Sequence, residues 1–141
     1  MNQQDSIKQR NRAFYTALED MDLEAMSRIW VQSAEAVCIH PGWETLRGWP
    51  EIRESWRAIF AATGYMRFEP SDVTIHLHGD AAHVSCVENI FTVVDGMTIH
   101  SRIACTNIFT LSDGEWRMVL HHGSGIASAQ SVQFPDSEVS N

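Results

Sequence analysis

No run of apolar residues in this chain approaches the roughly 20 that a membrane-spanning helix requires, and its polar start, MNQQDSIKQR, is unlike a secretory signal. A soluble, cytoplasmic protein is therefore expected. Positive charge is in deficit: 10 Lys and Arg against 18 Asp and Glu give a net charge of -8, which argues against nucleic acid or an anionic membrane surface as partner. Cysteine is scarce too. Cys38, Cys86 and Cys105 cannot complete an even disulfide framework, and no two form a CxxC pair. Gly-rich phosphate loops, Ser-His-Asp order motifs and cysteine-nucleophile signatures are absent, as are internal repeats. No cofactor and no metal are expected.

What the chain does contain is a long stretch of alternation. From Val84 to Ser124, three runs of period two are joined by Asp95-Gly96 and Asp113-Gly114, and Asp-Gly between alternating runs is a strong hairpin signal because both turn residues take φ > 0. Counting outward from two-residue turns pairs Glu88 with Ile103, Cys86 with Cys105 and Val84 with Asn107. The second turn pairs Leu111 with Trp116, Phe109 with Met118, Asn107 with Leu120 and Cys105 with His122. A third turn, Gly79-Asp80, sets Leu77 against Ala82, Ile75 against Val84 and Val73 against Cys86.

The register predicts two distinct faces. The core face carries Val73, Ile75, Leu77, Val84, Cys86, Ile90, Ile99, Ile103, Cys105, Phe109, Leu111, Trp116, Met118 and Leu120, with Glu88, Ser101, Asn107, His122 and Ser124 embedded in it. The outer face carries His76, His78, His83, Val87, Ala104, Thr106, Ile108, Val119 and His121. Cys86 and Cys105 read as reduced core thiols.

Ahead of these strands the spacing predicts helices. Ile7, Asn11, Phe14, Leu18 and Met21 make one stripe of a helix over 6–20, and Asp22 caps a second over 23–31. A short strand over 35–39 stops at His40-Pro41-Gly42, and Trp49-Pro50 opens a third helix ending near Gly64. With 141 residues, 44% of them hydrophobic, one domain over 1–127 and a polar tail over 128–141 are expected. Helices first and an antiparallel meander after argue for an α+β fold.

Several motifs carry a likeness. They are Phe14-Tyr15-x-Ala-Leu-Glu, then Asp22-Leu23-Glu24-Ala25-Met26, Trp30, and Ala36-Val37-Cys38-Ile39-His40-Pro41-Gly42. Gly48-x-x-x-Ile52-x-x-Ser55-Trp56 follows, and last Thr106-Asn107-x-Phe109 through Asp113-Gly114-x-Trp116-Arg117 to His121-His122-x-Ser124. In their order they resemble the NTF2-like superfamily, particularly SnoaL-like and ketosteroid-isomerase-like bacterial proteins. The resemblance implies a cone: about three N-terminal helices packed on a strongly curved, mainly antiparallel sheet that encloses a pocket, in a chain that usually pairs with a second copy. It implies no single activity, since such folds serve isomerases, cyclases, dehydratases and association domains.

The same resemblance places Tyr15 near the oxyanion-binding tyrosine of ketosteroid isomerases, His40 where they have a proton-shuttling aspartate, and Asn107 within one residue of their second oxyanion donor. Glu88 stands out from the residues themselves, as the one carboxylate on an apolar face, which must be paired, protonated or wet. The candidate catalytic set is thus His40, Tyr15, Asn107, Glu88 and His122, with Trp30, Trp43, Trp56, Cys105 and Ser124 as candidate ligand-binding residues.

Two readings of function follow. One is a pocket enzyme acting by general acid–base proton transfer on an apolar carbonyl compound; the other is a non-catalytic ligand-binding or association module. The small and β-branched outer face is expected to form a homodimer. His-x-His at His76 and His78, with His83 opposite, is a possible metal pair on a surface without a carboxylate in register.

Overall fold

The computed structural model describes residues 2–127, the side chain of Val94 excepted. The expected polar tail lies outside the described residues. Helix α1, Gln3–Asp20, begins where the Asn2 side chain accepts the Asp5 N–H and ends at Met21 in the left-handed region, φ 51°. It buries Ile7, Asn11, Phe14, Tyr15, Ala17 and Leu18, the i, i+3, i+4 stripe of an amphipathic helix. Helix α2, Leu23–Ile29, is capped by Asp22 and stops two residues before the expected end, because Trp30 turns extended and bridges Met118.

Strand β1, Val37–Ile39, and strand β2, Leu46–Arg47, form a small antiparallel pair. Helix α3, Trp49–Ala62, follows with Pro in its first turn, where the missing N–H costs nothing. Four long strands complete the chain: β3 Met66–His78, β4 Ala81–Val94, β5 Met97–Ser112 and β6 Glu115–Gly125. The sheet order is β2-β1-β6-β5-β4-β3. All pairs are antiparallel except β1 with β6. Three helices on this curved, open, mixed sheet make the expected α+β cone.

Both Asp-Gly turns have φ > 0 at both residues: Asp95 51° and Gly96 77°, Asp113 53° and Gly114 78°. The β4–β5 register follows the sequence reading throughout, including Glu88 with Ile103, Cys86 with Cys105 and Val84 with Asn107. The other two pairs depart from it at bulges. In β3 a shift between Ser71 and Thr74, with Asp72 at φ 53°, removes Val73 from its place opposite Cys86 and exposes it.

In β6 the pairing shifts between Ile108 and Phe109, so that Phe109 faces Met118 while Ile108 faces Leu120 and Asn107 faces His121. Val119 is the added residue, and one added residue turns every later side chain to the opposite face. This corrects the reading of the last strand. His121 lies in the core, while His122 and Ser124 are exposed. Gly123 follows His121 inward, with Ile103 and Pro41 so close that a Cβ would meet Ile103 Cγ2 at 3.0 Å.

The core joins α1, α2 and α3 to the inner face through Ile7, Phe14, Trp30, Ile52, Val84, Phe109 and Met118. Leu77 and Ile99, expected in the core, lie where no helix covers the sheet and are exposed. Among the described residues no helix is long and apolar enough to cross a membrane.

Candidate functional site

The inner face carries a buried polar cluster rooted in α1, β4, β5 and β6. Tyr15, on the buried stripe of α1, reaches across to β4 and donates its hydroxyl to Glu88 Oε2 at 2.6 Å. The Tyr15 hydroxyl oxygen also lies 3.4 Å from Cys86 Sγ and 3.5 Å from Cys105 Sγ. Asn107 Nδ2 donates to Tyr15 Oη at 3.3 Å and to Asn11 Oδ1 at 2.9 Å. Asn107 Oδ1 in turn accepts from His121 Nδ1 at 2.7 Å, which leaves Nε2 of the neutral ring as an acceptor.

A second group stands beside the first. His40, at the end of β1, has Nε2 2.8 Å from Ser55 Oγ on α3 and packs edge-on against Trp43 and Trp56 at 4.8 and 4.5 Å. Its ring centroid is 6.4 Å from that of His121, so His121 stands between His40 and the Tyr15 cluster. Trp56 also touches Phe14 and His121. Its indole Nε1–H is buried with no hydrogen-bond partner among the described residues, an uncommon state for a native donor.

Burial sets the charges. It pushes the Glu88 carboxyl above its ordinary value, against the opposing hydrogen bond from Tyr15. Burial and the neighbouring Glu88 push the Tyr15 phenol well up, so its proton is held for donation. Burial lowers His40 to about 4 and, with His40 and His122 nearby, lowers His121 to about 3. Both rings are therefore neutral near neutral pH. The hydrogen bond that Cys105 gives to Cys86, together with burial, raises Cys105; burial and Glu88 raise Cys38.

Of the predicted residues, the structure brings Tyr15, Glu88, Asn107 and Cys105 into direct contact and sets His40 one ring away. Trp56 lines the same interior. Trp30 is buried elsewhere, against Trp49, and Trp43 covers His40 while 44% exposed. His122 and Ser124 point to the opposite side of the sheet, where they edge a shallow cavity of about 410 Å³ with Val87, Ala104 and Thr106.

Sequence reasoning missed Asn11, Ser55 and His121 as members of the site. Asn11 did carry a signal, as a polar side chain on the apolar stripe of α1. Glu88, Cys105 and His121 hold donor atoms within 4.8 Å of one another, the one such group among the described residues that could seat a metal ion at that spacing. Each is already engaged in a hydrogen bond inside the protein.

The sequence profile of the SnoaL-like domain matches residues 7–128. Among curated proteins, the F-box protein SKIP8 of Arabidopsis thaliana is 32% identical over 114 residues, which are 81% of this chain and 47% of that protein. The chain thus spans about half the length of the curated relative it matches. Among solved structures, a provisionally named dehydratase of the NTF2-like family from Streptomyces avermitilis is 30% identical with a TM-score of 0.82, over 88% of this chain and 96% of that one. A provisionally named calcium/calmodulin-dependent protein kinase type II association domain from Thiobacillus denitrificans is 32% identical with a TM-score of 0.73, over 84% and 93%.

Proposed function

Because the chain belongs to the SnoaL-like family of the NTF2-like superfamily, we propose that it is a small-molecule pocket protein whose cone interior carries general acid–base proton transfer on an apolar carbonyl compound. The observation that supports this reading is the 2.6 Å Tyr15–Glu88 pair buried in an apolar interior. A carboxylate raised by burial is a better base than one in water, and a phenol that keeps its proton is a donor to a developing oxyanion. Glu88 takes a proton from the carbon beside the carbonyl, which releases the Tyr15 hydroxyl from Glu88 Oε2 to donate to the enolate oxygen, and Glu88 then returns the proton to the same or a conjugated carbon.

The remaining groups divide between binding and shape. The free Trp56 N–H offers a donor to a ligand acceptor, and the neutral His40 and His121 add acceptors without charge. Tyr15, Glu88, Asn107, His40 and His121 are each under 5% exposed, and Trp43 closes the His40 side of the cluster.

The test is exchange of α-hydrogens for deuterium, followed by NMR, over a panel of apolar ketones including steroids and polyketide-like aromatics. The wild type is expected to speed exchange for at least one class, and Glu88→Gln and Tyr15→Phe to lose it with the fold retained by circular dichroism. Exchange that is absent throughout, or undiminished in Glu88→Gln, removes the catalytic reading.

A second reading rests on the other side of the sheet. Val87, Thr106 and Ile108 are half-buried and Ala104 is exposed on a face that no helix covers. We propose that this face pairs with a second copy of the chain, and the dimer would serve either a pocket enzyme or an association module.

A further inference from the structure

We propose that His76, His78 and His83 form a surface site for a divalent transition-metal ion of the zinc type, with water at the fourth position. The site follows from strand geometry. His76 and His78 are two apart on β3 and so share a face, about 7 Å apart along the strand. The β3–β4 register sets His83 directly opposite His76, and the tight turn at Gly79 and Asp80 fixes both strands close to the site.

Two of the three donors have already met, while His76 holds no nitrogen within 4.8 Å of both. His78 Nε2 and His83 Nδ1 are 2.8 Å apart, and the His83 ring stacks on His76 and on His78 with centroids at 4.8 and 4.9 Å. Tetrahedral zinc with Zn–N of about 2.0–2.1 Å spaces its nitrogens ~3.3 Å apart. The His78–His83 contact therefore opens by roughly half an ångström, and the exposed His76 turns to present a nitrogen. Both are rotations of surface rings and require no movement of the backbone.

The chemistry suits the ion. Three imidazoles with one open position are a recurrent zinc donor set, and the same donors bind copper and nickel. Among the described residues no hydrogen bond ties these three rings to the interior, in contrast to Glu88, Cys105 and His121, whose ligating atoms are engaged with Tyr15, Asn107 and, for Cys105 and His121, each other.

Isothermal titration of the full-length, untagged protein with zinc chloride reads the proposal directly. One zinc per chain is expected, weakened at least ~10-fold in His83→Ala and in His78→Ala and unchanged in His122→Ala. His76 and His78 are exposed and His83 is half-buried on the outer face, and circular dichroism checks that the variants fold. No binding by the wild type, binding that persists in folded His83→Ala, or binding that is lost in folded His122→Ala each overturns the site.

Discussion

Burial drives the acids and bases of the inner cluster in opposite directions, and stability must follow pH accordingly. His40 and His121 fall from an ordinary 6.5 to about 4 and about 3. Their stabilisation is present above pH 6.5 and is lost as pH falls through these values. Glu88 is raised, so its contribution is present below the ordinary carboxylate range and is lost as pH rises through its folded value. Thermal melts from pH 8 to pH 4 are expected to show the wild type losing stability, with His40→Asn sparing on the order of 3 kcal/mol of that loss. The gap between Glu88→Gln and wild type is expected to widen as pH rises. A wild-type profile that stays flat from 6.5 to 4 would contradict burial of neutral histidines. Glu88 was legible in the sequence because a lone carboxylate on an apolar face demands a partner; the partner, Tyr15, was legible only through the family likeness, since nothing in the helix pattern separates a donor tyrosine from a packing one.

At the scale of the element, the turns were readable and the bulges were not. Asp-Gly specifies a backbone conformation at a known position, so the β4–β5 register followed by counting. The β6 bulge leaves no such mark: Val119 and Leu120 are both good strand formers, and either could be the extra residue. Asn107 kept its inward place because it pairs correctly with β4, whereas His122 was assigned by counting through the bulge. The consequence is measurable by urea unfolding. His121→Ala removes a buried ring and leaves Asn107 Oδ1 short of a donor, an expected cost of about 2 kcal/mol or more. His122→Ala is expected to stay within ~0.5 kcal/mol. The reverse order would place the bulge elsewhere.

Over the described residues the molecule is a cone whose sheet has one face covered by helices and one face not. The α+β class and the helix order were legible from periodicity, and the cone from the resemblance; the parallel docking of β1 beside β6 was not, because a three-residue strand carries no sign of its neighbour. If a second copy covers the outer face, light scattering at micromolar concentration is expected to give the mass of two chains, and Val87→Glu to give that of one, since a charge at the centre of the face would be buried unpaired. A monomeric wild type would leave that face without a copy to cover it.

The two rims of the sheet bear on how such assembly stops. β2, at one rim, is two residues long; β3, at the other, is interrupted by Pro70, which has no N–H to give, and by the kink at Asp72 and Val73. A strand from another chain needs an unbroken row of donors and acceptors to zip along, and neither rim supplies one. If the broad side of the sheet takes a second copy, one partner would saturate it and growth would stop at two, so that the long alternating strands that make the cone would not become the template of a fibre.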